Sequence, residues 1–195
     1  PRSTLFPYTT LFRSLTEVKR FETEPGAIIH FGNAFEEGDE LIIDGMYQDN
    51  FAANDTLSDV FNPDGRFGGG YYQRYHLNMK TGEMRVEQVM DTECEFPTFN
   101  TDLVGQRNNV TYTACSIDNG SNSFFNGISR VTFDGDATVV TLPPGYYGSE
   151  PVFVPKVGAT KEDDGYLMEV VYNGFDHLSE LQIYRADDID RKSVV

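Results

Sequence analysis

The sequence predicts an all-β fold of antiparallel strands. Short runs rich in β-branched and aromatic residues recur along the chain, turn signals separate them, and few segments carry a helical period. With 15 Phe, 11 Tyr and a hydrophobic fraction of 39%, the chain can bury a packed core.

Taken in order, Ala27–Phe35 and Leu41–Tyr47 flank an acidic, Gly-containing turn and read as a hairpin. Asp49–Gly70 reads as a long polar, Gly-rich loop with one helical turn near Thr56–Val60. Tyr71–Met79 and Met84–Met90 form a second hairpin around Lys80-Thr81-Gly82. Phe96–Phe99, Val110–Ile117, Gly127–Phe133 and Ala137–Leu142 follow, the last two joined through Asp134-Gly135, a strong hairpin signal. Pro151–Pro155, Tyr166–Tyr172 and Leu178–Tyr184 close the series, with the acidic loop Glu162–Gly165 read as an exposed turn. Grouped in order, the runs make two four-strand sets and an incomplete third, at a period of roughly 50–65 residues that suits propeller blades. Periodicity alone leaves a β-sandwich equally open.

The grouping aligns three chemically capable residues. His30 lies on the first strand of the first set, Glu95 opens the second, and Glu150 opens the third. If first strands line a central channel, one imidazole and two carboxylates face a common axis, as a metal site requires. The competing reading makes His30 a core residue of "AIIHF", and makes Glu95 and Glu150 turn caps ahead of Pro97 and Pro151. His76 and His177 lie in polar segments and are expected to be solvated.

Other chemistries are disfavoured. The net charge of −16 opposes binding to phosphate backbones, so no nucleic-acid partner is expected. No apolar run approaches the roughly 20 residues of a membrane span. Two cysteines, Cys94 and Cys115, are too few for a disulfide framework. Gly68-Gly69-Gly70 lacks the Lys-Ser/Thr and helix of a phosphate loop, and Glu162–Asp164 lacks the ligand spacing of a calcium loop.

Both ends are set apart from the fold. Residues 1–14, "PRSTLFPYTTLFRS", and 190–195, "DRKSVV", read as translated short-read sequencing adapter. The expected domain is therefore 15–189, a partial propeller from a longer gene.

The segments "HFGNAFEEGDELIIDG", "CEFPTFN", "GSEPVFVPKVGATKEDDGYLMEVVYN" and "LQIYRADD" occur in an order that resembles the carotenoid cleavage oxygenases, the family that includes the retinal-pigment-epithelium isomerase and the lignostilbene and apocarotenoid oxygenases. The resemblance spans nearly all of Phe21–Asp188. It implies a seven-bladed β-propeller with Fe(II) on its axis, held by four histidines, with three glutamates hydrogen-bonded to the ligands. On that resemblance His30 in "HFGNAFE" matches the third ligand, while Glu95 in "EFP" and Glu150 in "SEP" match two of the supporting glutamates. Asn33, Ala34, Phe35 and Glu36 match the motif in a structural role. The implied reaction inserts dioxygen across a conjugated C=C bond of a carotenoid, apocarotenoid or stilbene. The other ligands are expected upstream of Leu15 and beyond Ile189, so the chain alone is expected neither to hold iron tightly nor to turn over. Two rivals stay open: a non-cleaving isomerase, and a non-catalytic propeller that binds apolar ligands or proteins. The expected location is the cytoplasm, with peripheral membrane contact left open through the rest of the gene.

Overall fold

The computed structural model describes residues 19–49, 69–117 and 124–194. The expected helical turn at 56–60, most of the long loop around it and the stretch 1–14 lie outside the described residues. The fold is all-β and antiparallel, in three sheets arranged as successive blades.

The first sheet is a meander of β1 (Ala27–Glu37), β2 (Glu40–Gln48), β3 (Tyr71–Asn78) and β4 (Met84–Gln88). The second runs β5 (Glu93–Thr98), β6 (Val110–Ser116), β7 (Gly127–Thr132) and β8 (Ala137–Thr141). In the third, β9 (Tyr146–Gly148) and β10 (Val152–Pro155) both pair with β11 (Gly165–Asn173), followed by β12 (Leu178–Arg185) and β13 (Asp188–Val194). The turns follow local chemistry. Gly82 and Gly135 take φ of 80° and 91° at the β3–β4 and β7–β8 hairpins, a region that residues with a Cβ rarely adopt. Among the described residues the helical element is a 3-10 turn, Thr101–Leu103, capped by the Asn100 side chain.

Burial explains the sequence patterns. Strand β11 alternates: Leu167, Glu169 and Val171 are buried, whereas Tyr166, Val170 and Tyr172 are exposed. Strand β6 does not alternate, because it contributes to a core on each of its faces. Its Val110 and Tyr112 join Phe153, Leu167 and Tyr184 in a core shared with the third sheet. Its Cys115 joins Met46, Tyr72, Met90 and Cys94 in a core shared with the first. The opposite face of the third sheet leaves Val152, Val154, Tyr166, Val170 and Tyr172 exposed.

Three differences from expectation exceed two residues. Strand β5 starts at Glu93 rather than Phe96, because Glu93, Cys94 and Glu95 pair with Ser116, Cys115 and Ala114 of β6. Strand β9 was not anticipated and supplies the upper part of an inner strand whose lower part is β10. Strand β13 carries the ladder past Ile189, through residues read as adapter-derived. Edge pairing uses backbone groups, which any residue but proline offers.

The acidic loop is a clip rather than an exposed turn. The half-buried Glu162 accepts the backbone N–H groups of Asn109 at 2.7 Å and Val110 at 2.8 Å. Beside it Arg130 donates to Asp163 at 2.7 Å, and Lys156 to Asp164 at 2.6 Å. Glu162 and Asp163 thereby tie the third sheet to the second.

Buried acids set the alkaline limit. Burial is the largest cause that raises the phenols of Tyr72, Tyr112 and Tyr184 above their ordinary range, and it takes Tyr75 up to about 12. It also raises the thiol of Cys94 to about 12, and that of Cys115 further. An unfolded chain ionises these groups near pH 8.5–10, so there it binds fewer protons than the native state. The contribution of these phenols and thiols to folding stability is expected to be flat below about pH 8.5 and to fall above it, by up to about 1.4 kcal/mol per pH unit for each group still neutral in the native state. Urea midpoints at pH 8, 10 and 11 check this, and an unchanged midpoint at pH 11 would refute the burial assignment.

Candidate metal centre

Each inner strand breaks its ladder at the residue singled out by sequence. In β1 the register with β2 shifts between Ile28 and Phe31, which brackets His30. In β5 it shifts between Glu95 and Thr98, where Phe96 takes a φ of 56° just before Pro97. In the third sheet Ser149-Glu150-Pro151 fills the gap between β9 and β10. A bulge frees a side chain from strict alternation and re-aims it.

The first two breaks bring their residues together. His30 Nδ1 lies 2.9 Å from Glu95 Oε2. An ionised carboxylate only accepts, so in the neutral ring this contact puts the proton on Nδ1 and the lone pair on Nε2. The His30 side chain is 41% exposed and that of Glu95 6%, so the carboxylate sits inside and the imidazole reaches outward. The Phe96 ring packs against the imidazole at 4.9 Å and meets Phe125 edge-on at 5.5 Å. Burial holds the Glu95 carboxyl above its ordinary range; hydrogen bonds from His30, the Phe96 N–H and Gln48 pull the other way without cancelling it. Glu150 is exposed and hydrogen-bonded to no described residue, so the structure does not join it to His30.

Among the described residues no three His, Cys, Asp or Glu side chains cluster to hold a metal ion. His30 fits a metal as a single nitrogen donor with its far ring nitrogen already fixed. The other histidines lie elsewhere. His76, expected to be solvated, is 7% exposed, because its strand β3 places it between Glu40 Oε2 at 3.3 Å and Glu87 Oε2 at 3.4 Å. His177 occupies an exposed turn beside Tyr172.

Sequence reasoning passed over Gln48 and Phe96. A Phe before Pro97 hints at an irregular strand, whereas nothing local marks Gln48. The structure also defines what Asn33 does. Its amide donates to Leu103 O, Gln106 O and Asn108 Oδ1, and its oxygen accepts the N–H groups of Ala34 and Gly105. One side chain of β1 therefore holds the loop that leads into β6. Asn33→Ala is expected to cost about 2–3 kcal/mol, since the buried Asn108 side chain and several part-buried backbone groups lose a partner together. A urea-midpoint loss below about 0.5 kcal/mol would contradict the clamp.

The profile of the retinal pigment epithelial membrane protein family matches residues 7–195. The chain belongs to this family, the carotenoid cleavage oxygenases. It is 28% identical over 180 residues to the apocarotenoid-15,15'-oxygenase of Synechocystis, a match that covers 91% of the chain and 37% of that protein. It is 31% identical over 168 residues to a carotenoid cleavage oxygenase of Mycobacterium tuberculosis, covering 78% of the chain and 31% of the relative. Among solved structures it is similar to cobalt-substituted Synechocystis apocarotenoid oxygenase, with a TM-score of 0.79 and 25% identity over 94% of the chain and 40% of that structure. This member of the carotenoid oxygenase family thus spans well under half the length of those relatives.

Proposed function

We propose that this chain is part of a non-haem Fe(II) dioxygenase that cleaves a conjugated C=C bond of a carotenoid, apocarotenoid or stilbene. The observation that carries the reading is the 2.9 Å contact between His30 Nδ1 and Glu95, which leaves Nε2 outside that contact on a side chain that is 41% exposed. Neutral imidazole suits Fe(II), and a carboxylate on the far nitrogen raises its basicity. When bound, iron would supply the activation of dioxygen. The chain's own residues hold the Nδ1 proton, through Glu95, and cover one side of the ring, through Phe96.

One imidazole cannot replace a four-histidine set, so the 195-residue chain alone is expected to lose iron on dialysis and to show no turnover. The test is a gene that supplies the flanking sequence, purified with Fe(II) and offered carotenoid and stilbene substrates. Two carbonyl products support cleavage. A rearranged product of unchanged mass would assign the isomerase reading, and tight ligand binding without product would assign the binding propeller. Cytoplasmic location with peripheral membrane contact belongs to the same proposal, and membrane fractionation of that gene product tests it.

A further inference from the structure

We infer that Gln48 is a positioning residue for the His30 imidazole: its amide N–H holds one oxygen of Glu95 so that the other faces Nδ1. Its functional meaning rests on the proposed role of His30, but the geometry stands without a metal.

The Glu95 side chain is 6% exposed, so little water is available to hold its carboxylate in place. Oε2 takes His30 Nδ1 at 2.9 Å and the Phe96 N–H at 3.3 Å. Among the described residues Oε1 has one partner, Gln48 Nε2 at 3.2 Å. The last side-chain torsion of a glutamate is broad and roughly two-fold, so a carboxylate held on one oxygen alone can swing its plane away from the imidazole. Bonds on both oxygens fix that plane.

Gln48 reaches Glu95 from an independent element. It is the last residue of β2 and lies opposite Ala27 on β1, so the strand pair that carries His30 also carries the residue that locks the His30 partner on β5. The identity of the donor matters. A neutral amide satisfies Oε1 and leaves the negative charge to the imidazole, whereas a lysine would form a charge-assisted bond and draw that charge away.

The experiment reads the His30 tautomer in the metal-free 195-residue chain by long-range proton–nitrogen NMR at a pH where imidazole is neutral. Three histidines give a spectrum simple enough to assign against His30→Ala. The wild-type chain is expected to favour Nδ1–H. Gln48→Met keeps the bulk and removes the donor, and is expected to lower the Nδ1–H to Nε2–H ratio by about 3–10-fold, the loss of one hydrogen bond. Gln48→Asn, a shorter amide, is expected to recover part of that ratio. An unchanged ratio in Gln48→Met with a native-like amide spectrum overturns the inference. If that variant fails to fold, Gln48→Ala gives the same reading by the same criterion; if neither folds, Gln48 is a folding residue and the inference is overturned. Normal iron content in His30→Ala of the longer gene product would instead overturn the proposed function and leave the NMR result standing.

Discussion

Asp44→Ala is expected to cost about 3–5 kcal/mol and to lower the thermal midpoint by on the order of 10 °C. Asp44 and Arg74 are 1% and 2% exposed. Arg74 Nε donates to Asp44 Oδ1 at 2.8 Å, and the Tyr72 hydroxyl donates to Oδ2 at 2.7 Å. The guanidinium also donates to the carbonyl of Phe133 at 2.6 Å and lies 3.7 Å from the centre of its ring. This pair therefore joins the first sheet to the second. Removing the carboxylate leaves a desolvated cation with no counter-charge, which is the expensive way to break a buried pair. The double variant Asp44→Leu with Arg74→Met removes both charges and is expected to be less damaging than Asp44→Ala. Urea denaturation of both variants decides the matter. A single-variant loss below about 1 kcal/mol would mean that water reaches the pair.

The second large effect concerns His30 in the longer gene product. His30→Ala should abolish iron retention and cleavage together. Glu95→Gln should be milder, about 10–100-fold in metal affinity or activity, because the amide oxygen can still accept the Nδ1 proton but no longer supplies charge. A histidine that merely fills space predicts something else: a lower thermal midpoint with full iron in the folded fraction. Iron analysis of the purified variant separates the two, and full occupancy in His30→Ala would end the ligand assignment.

Much of this was legible before any coordinates. The β-rich run Tyr166–Tyr172 marked a strand, and Asp134-Gly135 marked the hairpin between β7 and β8 because the backbone there needs a φ open to glycine. His30 and Glu95 were paired by their places in successive repeats, and they are in contact. What escaped depends on neighbours far along the chain. Glu162 clips Asn109, and their 53-residue separation leaves no local trace. His76 sits among polar residues in sequence, yet two adjoining strands cover it. Gln48 meets Glu95 only because β5 docks on the first sheet. Strand β9 is too short to show a period, and β13 pairs through its backbone.

The meander has a consequence for synthesis. Within the first two sheets every strand pairs with its sequence neighbour, so each can zip up soon after its last strand leaves the ribosome, without waiting for distant chain. The contact between His30 and Glu95 is of another kind, since it spans 65 residues and closes only when β5 arrives against a completed first sheet. Until then the nascent imidazole is an unoriented side chain on a bulged edge. On the proposed role of His30, metal capture would wait for that contact: an ion that met the emerging chain early would find no fixed lone pair to hold it.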